Sequence, residues 1–333
     1  MNSVTSNILN TLLGRDGFVS GGELCRELRM TRSAVWKHVA RLRASGYAIE
    51  AVSGRGYRLA GVTGAPVFEE VRPLLDTERF GRNFIYLEST GSTNLHARAI
   101  ARDGAPEGSV VVADSQTGGR GRMGRPWASP PGVNLYASVV LRPPVPPVRV
   151  PEIPLVAAAA IHAALSQECP SLQPCIKWPN DLLCGGRKLC GILCEMESEP
   201  DCTHFVVVGF GVNVNLAAVP EELRGIATSI ALETGADSSR ARILASVLNC
   251  FERMYGEWLA ADDLAPVLPH LERHAWLQGK AVRIEQYGRT LSGTVAGLSP
   301  QGHLLLKGED GAVAAVNSGE AHLKSVNDQN RPA

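Results

Sequence analysis

The segment GGRGRMGRPW, residues 118–127, places four glycines, three arginines and a tryptophan within ten positions. Glycines let backbone N–H groups approach an anion, and guanidinium groups beside them can make paired, charge-assisted hydrogen bonds to a carboxylate or phosphate. Trp127 offers a flat face for a ring. GRGRMG also spells G-x-G-x-x-G after the strand-like VVVAD, but a dinucleotide fingerprint needs a helix to open there and an acid about 20 residues on. Pro126, Pro130, Pro131 and Gly132 forbid that helix, and no acid lies between Asp114 and Glu152. G-x-x-x-x-G-K-[ST] occurs nowhere. A nucleic-acid-binding RGG tract would be longer and of low complexity, whereas this loop lies between two strand-like runs.

A second stretch, KWPNDLL at 177–183, leads into GGRKLCGILCEM at 185–196. Pro179, Asn180 and Asp181 suit a turn; Lys177 offers a cation and Asp181 a carboxylate for hydrogen bonding or a hydrated Mg2+ ion. Lys188 follows the glycine turn, from which a lysine can reach over a ligand, although an isolated lysine is ordinarily solvated surface. In GFGVNVNL, residues 209–216, Asn213 could hydrogen-bond a phosphate or base. Val214 occupies the last glycine position of a fingerprint, so that pattern fails here.

These residues need a scaffold. Val35, Val39 and Leu42 recur at i, i+4 and i+7 in TRSAVWKHVARLRASG, with Thr31 as N-cap and Gly46 as the stop. Residues 4–13 and 22–30, the latter capped by Ser20, read as two shorter helices, and YAIEAVSGRGYRLAG as a hairpin. Together they predict a winged helix-turn-helix over 1–62, with Thr31, Arg32, Ser33, Trp36, Lys37 and His38 facing DNA and Arg55 and Arg58 on the wing. A small helical module with a merely basic surface is the alternative. A linker follows at 60–68. Over 66–275, β-branched runs alternate with helical ones, predicting an α/β unit around a mixed sheet, with 143–154 a rigid loop and 242–259 a helix. Short runs after Gly279 predict a small antiparallel barrel, so the third unit is expected over 276–327. The fold class expected is thus multidomain α+β.

Composition narrows the function classes. Of 333 residues, 44% are hydrophobic and 20% charged, an ordinary globular balance. No run of about 18 apolar residues and no leader pattern is evident, so a cytoplasmic protein without a membrane partner is expected. The eight cysteines form no C-x-x-C pair and match no His spacing of a zinc site, which makes them reduced small hydrophobes. Residues 1–60 hold nine basic and four acidic side chains, net +5, against net −5 for the remainder. That asymmetry favours an anionic partner for the basic end.

STN at 92–94, Q-x-x-GRGRMGRPW at 116–127, KWPNDL at 177–182, RKLCGIL at 187–193 and GFGVNVN at 209–215 resemble the biotin protein ligase family in order and spacing. With the helix-turn-helix before them and GTVAGLSPQGHLLL and NSGEAHLKS after, the chain is similar to the bifunctional repressor-ligase form, from about residue 5 to 326. The resemblance implies a central domain of class II synthetase-like type and a C-terminal SH3-like barrel. It implies biotin contacts from Ser92, Thr93, Asn94, Gln116, Arg120, Gly121, Arg122 and Lys188, and ATP or adenylate contacts from Trp127, Asn180, Asp181 and Asn213. Lys188, Arg122 and Arg120 are the implied catalytic groups, with ATP and biotin as substrates and Mg2+ accompanying ATP. Met123 and Pro126 depart from the family loop, which often has arginine and lysine there.

The implied reaction fits the absence of G-x-S-x-G and H-E-x-x-H: both nucleophiles come from substrates. Biotin carboxylate attacks the α-phosphate of ATP, and a lysine of a biotin carboxyl carrier protein attacks the resulting biotinoyl-AMP. The binding loop is expected to order on binding and exclude water. Operator DNA and, with the adenylate bound, a homodimer are the remaining implied partners. Rival readings are a non-catalytic regulator that senses biotin or another small acid, a lipoate ligase on the same fold, and a ligase without DNA binding.

Overall fold

The computed structural model describes residues 3–286 and 289–323. Three helices, α1 (Ser3–Leu13), α2 (Gly21–Glu27) and α3 (Arg32–Ala44), precede the hairpin β1 (Ala48–Val52) and β2 (Gly56–Gly61). Ser20 and Thr31 cap α2 and α3 by accepting from Glu23 N and Ala34 N, which satisfies backbone donors that a helix start leaves open. Val35, Val39 and Leu42 close over Ile8, Leu9, Leu12, Leu24 and Ile49 in a separate small core. The wing is pinned at its turn: a Cβ on Gly56, whose φ is +105°, would lie 2.0 Å from Val19 O.

The stretch expected to be a loose linker is tied down. Buried Glu70, on α4 (Phe68–Val71), accepts from Thr63 N at 3.1 Å, Thr63 Oγ1 at 2.5 Å and Gly64 N at 2.8 Å. Gly64 O in turn accepts from Ala241 N at 3.0 Å. Burial, and then the charge of Glu70, push the Tyr47 phenol up, so the last turn before the wing also faces this carboxylate.

A seven-stranded sheet follows, built from β3 (Phe84–Thr90), β4 (Val110–Gln116), β5 (Leu135–Leu141), β6 (Pro174–Lys177), β7 (Asp181–Cys184), β8 (Arg187–Ser198) and β9 (Thr203–Val212). Its order is β3-β4-β5-β9-β8-β7-β6, and only β3 and β4 run parallel. A parallel pair needs a crossover, supplied by α5 (Thr93–Arg102). The period of two along β9 then assigns the faces. Val206, Val208, Phe210 and Val212 join the main core with α6 (Ile153–Glu168) and α8 (Arg240–Ala261). Phe205 and Val207 sit beneath α5 with Ala97, Ala101, Val111 and Val140. Beyond Val207 that face carries Gly209, met by Asn94 in the first turn of α5, and then Gly211. The result is a recess at one end of the sheet.

Pro147–Glu168, a short 3-10 turn running into α6, is long and apolar enough by composition to cross a membrane, but most of it is buried in the protein's own core. The segment expected to be a rigid loop thus supplies the entry to this helix. The short α7 (Ile230–Thr234) and α9 (Leu268–Arg273) flank α8.

Five strands complete the chain: β10 (Ala281–Gln286), β11 (Arg289–Leu298), β12 (Leu304–Lys307), β13 (Val313–Val316) and β14 (Glu320–Leu323). They form an antiparallel sheet in the order β13-β12-β11-β10-β14. Its inner residues, among them Val282, Ile284, Leu304 and Leu306, join the same core as the central sheet. Trp178 Nε1 donates to Gly302 O at 3.0 Å across the junction. Residues 324–327 of the third expected unit, with the end of NSGEAHLKS, lie outside the described residues.

Removing the Glu70 carboxylate leaves the linker donors without their buried acceptor, a cost of about 1–3 kcal/mol. Glu70→Ala should lower the thermal midpoint and speed proteolysis between residues 61 and 66; unchanged cleavage there would reject the tether.

Candidate functional site

The recess is a cavity of about 780 Å³, and every residue singled out above for a small-molecule ligand lines it: Ser92, Thr93, Asn94, Gln116, Arg120, Gly121, Arg122, Trp127, Lys177, Asn180, Asp181, Lys188 and Asn213. Ser92–Asn94 sit at the start of α5, Gln116 ends β4, Asn180 closes the turn from β6 and Asp181 opens β7.

The floor is made by absence of side chains. Gly191 of β8 pairs with Gly211 of β9, and Leu193 with Gly209. A Cβ at Gly211 would meet the Trp127 indole at 2.6 Å, and one at Gly191 would meet it at 3.0 Å. The indole therefore lies against bare backbone, with Lys188 Nζ 5.4 Å from its ring centre. A Cβ at Gly209 would lie 1.9 Å from Asn94 Oδ1.

Around this floor a buried polar web fixes the start of α5. Gln116 Oε1 accepts from Thr93 N at 2.8 Å and from Thr93 Oγ1 at 3.2 Å, while its Nε2 donates to Ser129 Oγ at 3.0 Å. Ser138 Oγ lies 2.8 Å from Thr93 Oγ1 and 2.7 Å from Asn94 Oδ1. Asn94 Nδ2 donates to Glu195 Oε2 and Leu193 O. A second web holds the far rim: Arg240 pairs with Asp114 at 2.8 Å, Asn134 Oδ1 accepts from Val214 N, and Asn213 Nδ2 donates to Thr228 O at 2.9 Å. Asn94 and Asn213 thus line the cavity with amides already engaged by protein.

Other groups are left available. Trp127 Nε1 and Asp181 Oδ1 are buried without a hydrogen-bond partner among the described residues. Lys188 Nζ is 2.8 Å from Asp181 Oδ1, an ion pair by distance whose angle makes no hydrogen bond. The Lys188 backbone is clamped, its N–H donating to Ile226 O and its C=O accepting from Thr228 N. Neither Ser92 Oγ nor the Arg120 guanidinium has a side-chain hydrogen bond among the described residues. The Trp127 indole and the Lys188–Asp181 pair, lining one cavity, are the means to bind a polar, anionic ligand with a flat ring.

The arginine loop covers this space, closed on itself by one bridge and tied to the rest of the protein by two side-chain contacts. Arg120 forms a β-bridge with Pro126, and Arg122 Nη1 donates to Asn180 Oδ1 at 3.1 Å. Arg125 donates through both terminal nitrogens to the two oxygens of Glu320 on β14, at 2.6 and 2.5 Å. That bidentate grip, chiefly through its hydrogen bonds, holds the Glu320 carboxyl below the ordinary range. Met123 stands at the loop's tip with φ +55° and its side chain in solvent. Burial pushes the Cys190 and Cys194 thiols of β8 up, so neither is a ready nucleophile.

On the N-terminal unit, Thr31, Arg32, Ser33, Lys37 and Trp36 are exposed along the start of α3, with Trp36 60% exposed. His38 differs from expectation: it is half-buried, its Nδ1 2.8 Å from Thr5 Oγ1, because that edge of α3 packs on α1. On the wing, Arg58 pairs with Glu50, and Arg55 and Arg58 lie over the Phe18 ring.

The residues that sequence patterns missed are Gly191, Gly209, Gly211, Ser129, Ser138, Glu195, Arg125 and Glu320. Gly209, Gly211 and Asn213 do recur with period two in VVVGFGVNV, a sign of one sheet face emptied of side chains. Arg125–Glu320 spans 195 positions and no local pattern announces it.

A small-ligand site on a mixed sheet, joined to a helix-turn-helix and a small C-terminal sheet, is the architecture of a ligase with a DNA-reading arm. Residues 86–213 match the biotin/lipoate A/B protein ligase family, residues 4–58 an HTH domain and residues 278–324 the biotin protein ligase C terminal domain. The chain is 39% identical over 296 residues to the bifunctional ligase/repressor BirA of Bacillus subtilis, covering 88% of this chain and 90% of that protein. It is 31% identical over 319 residues to the Escherichia coli protein of the same name, covering 96% and 97%. Among solved structures, the biotin protein ligase of Aquifex aeolicus in complex with biotin and ATP aligns with a TM-score of 0.64 and 30% identity, over 73% of this chain and 99% of that one. The chain belongs to the biotin protein ligase family, and within it to the bifunctional ligase/repressor type.

The bare floor is testable by one methyl group. Gly209→Ala should cost about 1–3 kcal/mol by overpacking against Asn94, read as a lower thermal midpoint. Gly256→Ala on α8, where an added Cβ meets nothing within 4 Å, is the control and should be neutral or stabilising.

Proposed function

We propose that this protein activates biotin with ATP, transfers it to a lysine of a biotin carboxyl carrier protein, and represses transcription through its N-terminal helix-turn-helix. The observation that carries the reading is the convergence on one cavity of all the ligand residues that five separated motifs named.

In the first step a biotin carboxylate oxygen forms a bond to the α-phosphorus of ATP, and the bond from that phosphorus to the bridging oxygen breaks to release pyrophosphate. Lys188 Nζ, held between Asp181 and the Trp127 face, stabilises the negative charge on the phosphate oxygens in the transition state. Arg120 and Arg122 supply further cationic donors from the loop. Ser92, Thr93 and Gln116 hold biotin at the start of α5; Asn94 keeps that turn against Gly209. Trp127 offers its ring and its unpartnered Nε1–H to the adenylate, and Asn213 fixes the strand end beside it. The Asp181 carboxylate, which here faces the Lys188 ammonium, would be the hard oxygen donor for an Mg2+ ion brought with ATP, and that ion would neutralise phosphate charge.

In the second step the acceptor lysine amine attacks the anhydride carbonyl and AMP leaves. The covering loop shields the anhydride from water until then. The free thiols suit a reducing, cytoplasmic setting. Repression follows if the adenylate favours a homodimer that sets two copies of α3 on successive half-sites, each reading with Thr31, Arg32, Ser33, Trp36 and Lys37; His38 braces α3 from behind.

Incubation with ATP, Mg2+, biotin and a biotin-acceptor domain should yield biotinylated acceptor, and no transfer would sink the ligase reading. Lys188→Ala should lower adenylate formation by about 10²–10³-fold, measured as biotin-dependent pyrophosphate exchange. Arg32→Ala with Lys37→Ala should abolish operator binding and leave transfer intact; retained binding would remove α3 from the reading role.

A further inference from the structure

On the far side of the sheet from the ligand cavity, three imidazoles meet where α6 packs on α9. His162 lies on α6 and is buried; His270 and His274, one helical turn apart, come from α9 and its C-cap. One ring nitrogen from each lies within 4.8 Å of the other two. His162 Nε2 is 2.9 Å from Pro174 O. A carbonyl only accepts, so Nε2 carries the hydrogen and Nδ1 presents its lone pair to the cluster. This is how a metal-binding histidine is oriented, its second nitrogen donating to a backbone carbonyl. His270 Nε2 stands 3.1 Å from His162 Nδ1, and the His274 ring is 4.1 Å from that of His162, centre to centre. The ring nitrogens of His274 make no hydrogen bond among the described residues.

Burial, together with the neighbouring imidazoles, brings His162 down to about 4, and burial first, then nearby positive charge including Arg273, lowers His270 and His274. With the His162 lone pair facing the cluster, His270 Nε2–H donates to it, and a bound cation would take the place of that shared proton. The sequence gives little warning, since His162 lies 108 positions from His270.

We propose that His162, His270 and His274 form a binding site for a divalent transition cation of the zinc class, with water as the fourth ligand. Zinc–nitrogen bonds of 2.0–2.1 Å in a tetrahedron set ligand nitrogens about 3.4 Å apart. The His162–His270 pair already meets that spacing, and the half-buried His274 ring closes the rest. The site's role is mechanical. Ile176 N donates to His274 O and Trp276 N to Ile176 O, so the cation would brace β6, which leads into Lys177, Asn180 and Asp181 of the ligand cavity.

The test uses the full-length, chelator-stripped protein titrated with Zn2+ alone against a chromophoric chelator, and with Co2+ for its visible spectrum. One equivalent should bind, raise the thermal midpoint, and give a tetrahedral cobalt spectrum without thiolate charge transfer. His270→Gln and His274→Gln, at half-buried positions, should each weaken binding about ten-fold or more while far-ultraviolet circular dichroism is unchanged. If one variant misfolds, the other decides. Absence of stoichiometric binding, binding equally tight in the folded variant, or a thiolate cobalt spectrum would each overturn the proposal.

Discussion

Gly191, Gly209 and Gly211 leave one patch on a face of β8 and β9 without side chains, and the Trp127 indole and the Asn94 amide fill the room so made. The two fillers do different work. Asn94 anchors the start of α5 through Glu195, Leu193 and Ser138, which fixes where Ser92 and Thr93 point. Trp127 anchors the exit of the arginine loop, which fixes where Arg120 and Arg122 can reach. A side chain at any of the three glycines would displace one of these fillers, and the ligand cavity would lose a wall.

Charge is distributed with similar economy. Buried ions are costly unless paired and hydrogen-bonded. Arg240 meets this demand through Asp114 and Asn134 O, and it ties β4, β5 and α8 into a stiff rim. Lys188 is only partly compensated by Asp181, and Arg120 is not paired at all among the described side chains. The stiff charges are therefore spent on position, and the uncompensated ones remain for a ligand.

Much of this was legible in the residues. Caps and the apolar period gave α3 its bounds within one residue, and the β-branched runs marked the strands of the central sheet. Motif residues named in five places converge in one cavity. What escaped had physical reasons. Glycine writes no hydropathy signal, so Gly209 and Gly211 read as a failed fingerprint instead of an empty sheet face. The linker looked loose because Thr63 and Gly64 find their acceptor, Glu70, only once α4 folds back. β14 is four residues long and amphipathic over too short a span to stand out. His38 looked like its exposed neighbours because only the placement of α1 turns it inward.

The Arg125–Glu320 pair joins the covering loop to the last described strand of a different sheet. Opening of the covering loop must therefore part an ion pair that is itself partly solvated. Dissolved salt competes for such a pair within about 10 Å at moderate ionic strength. The freedom of the loop over the cavity thus depends on the ions in solution and on a strand that belongs to a different sheet.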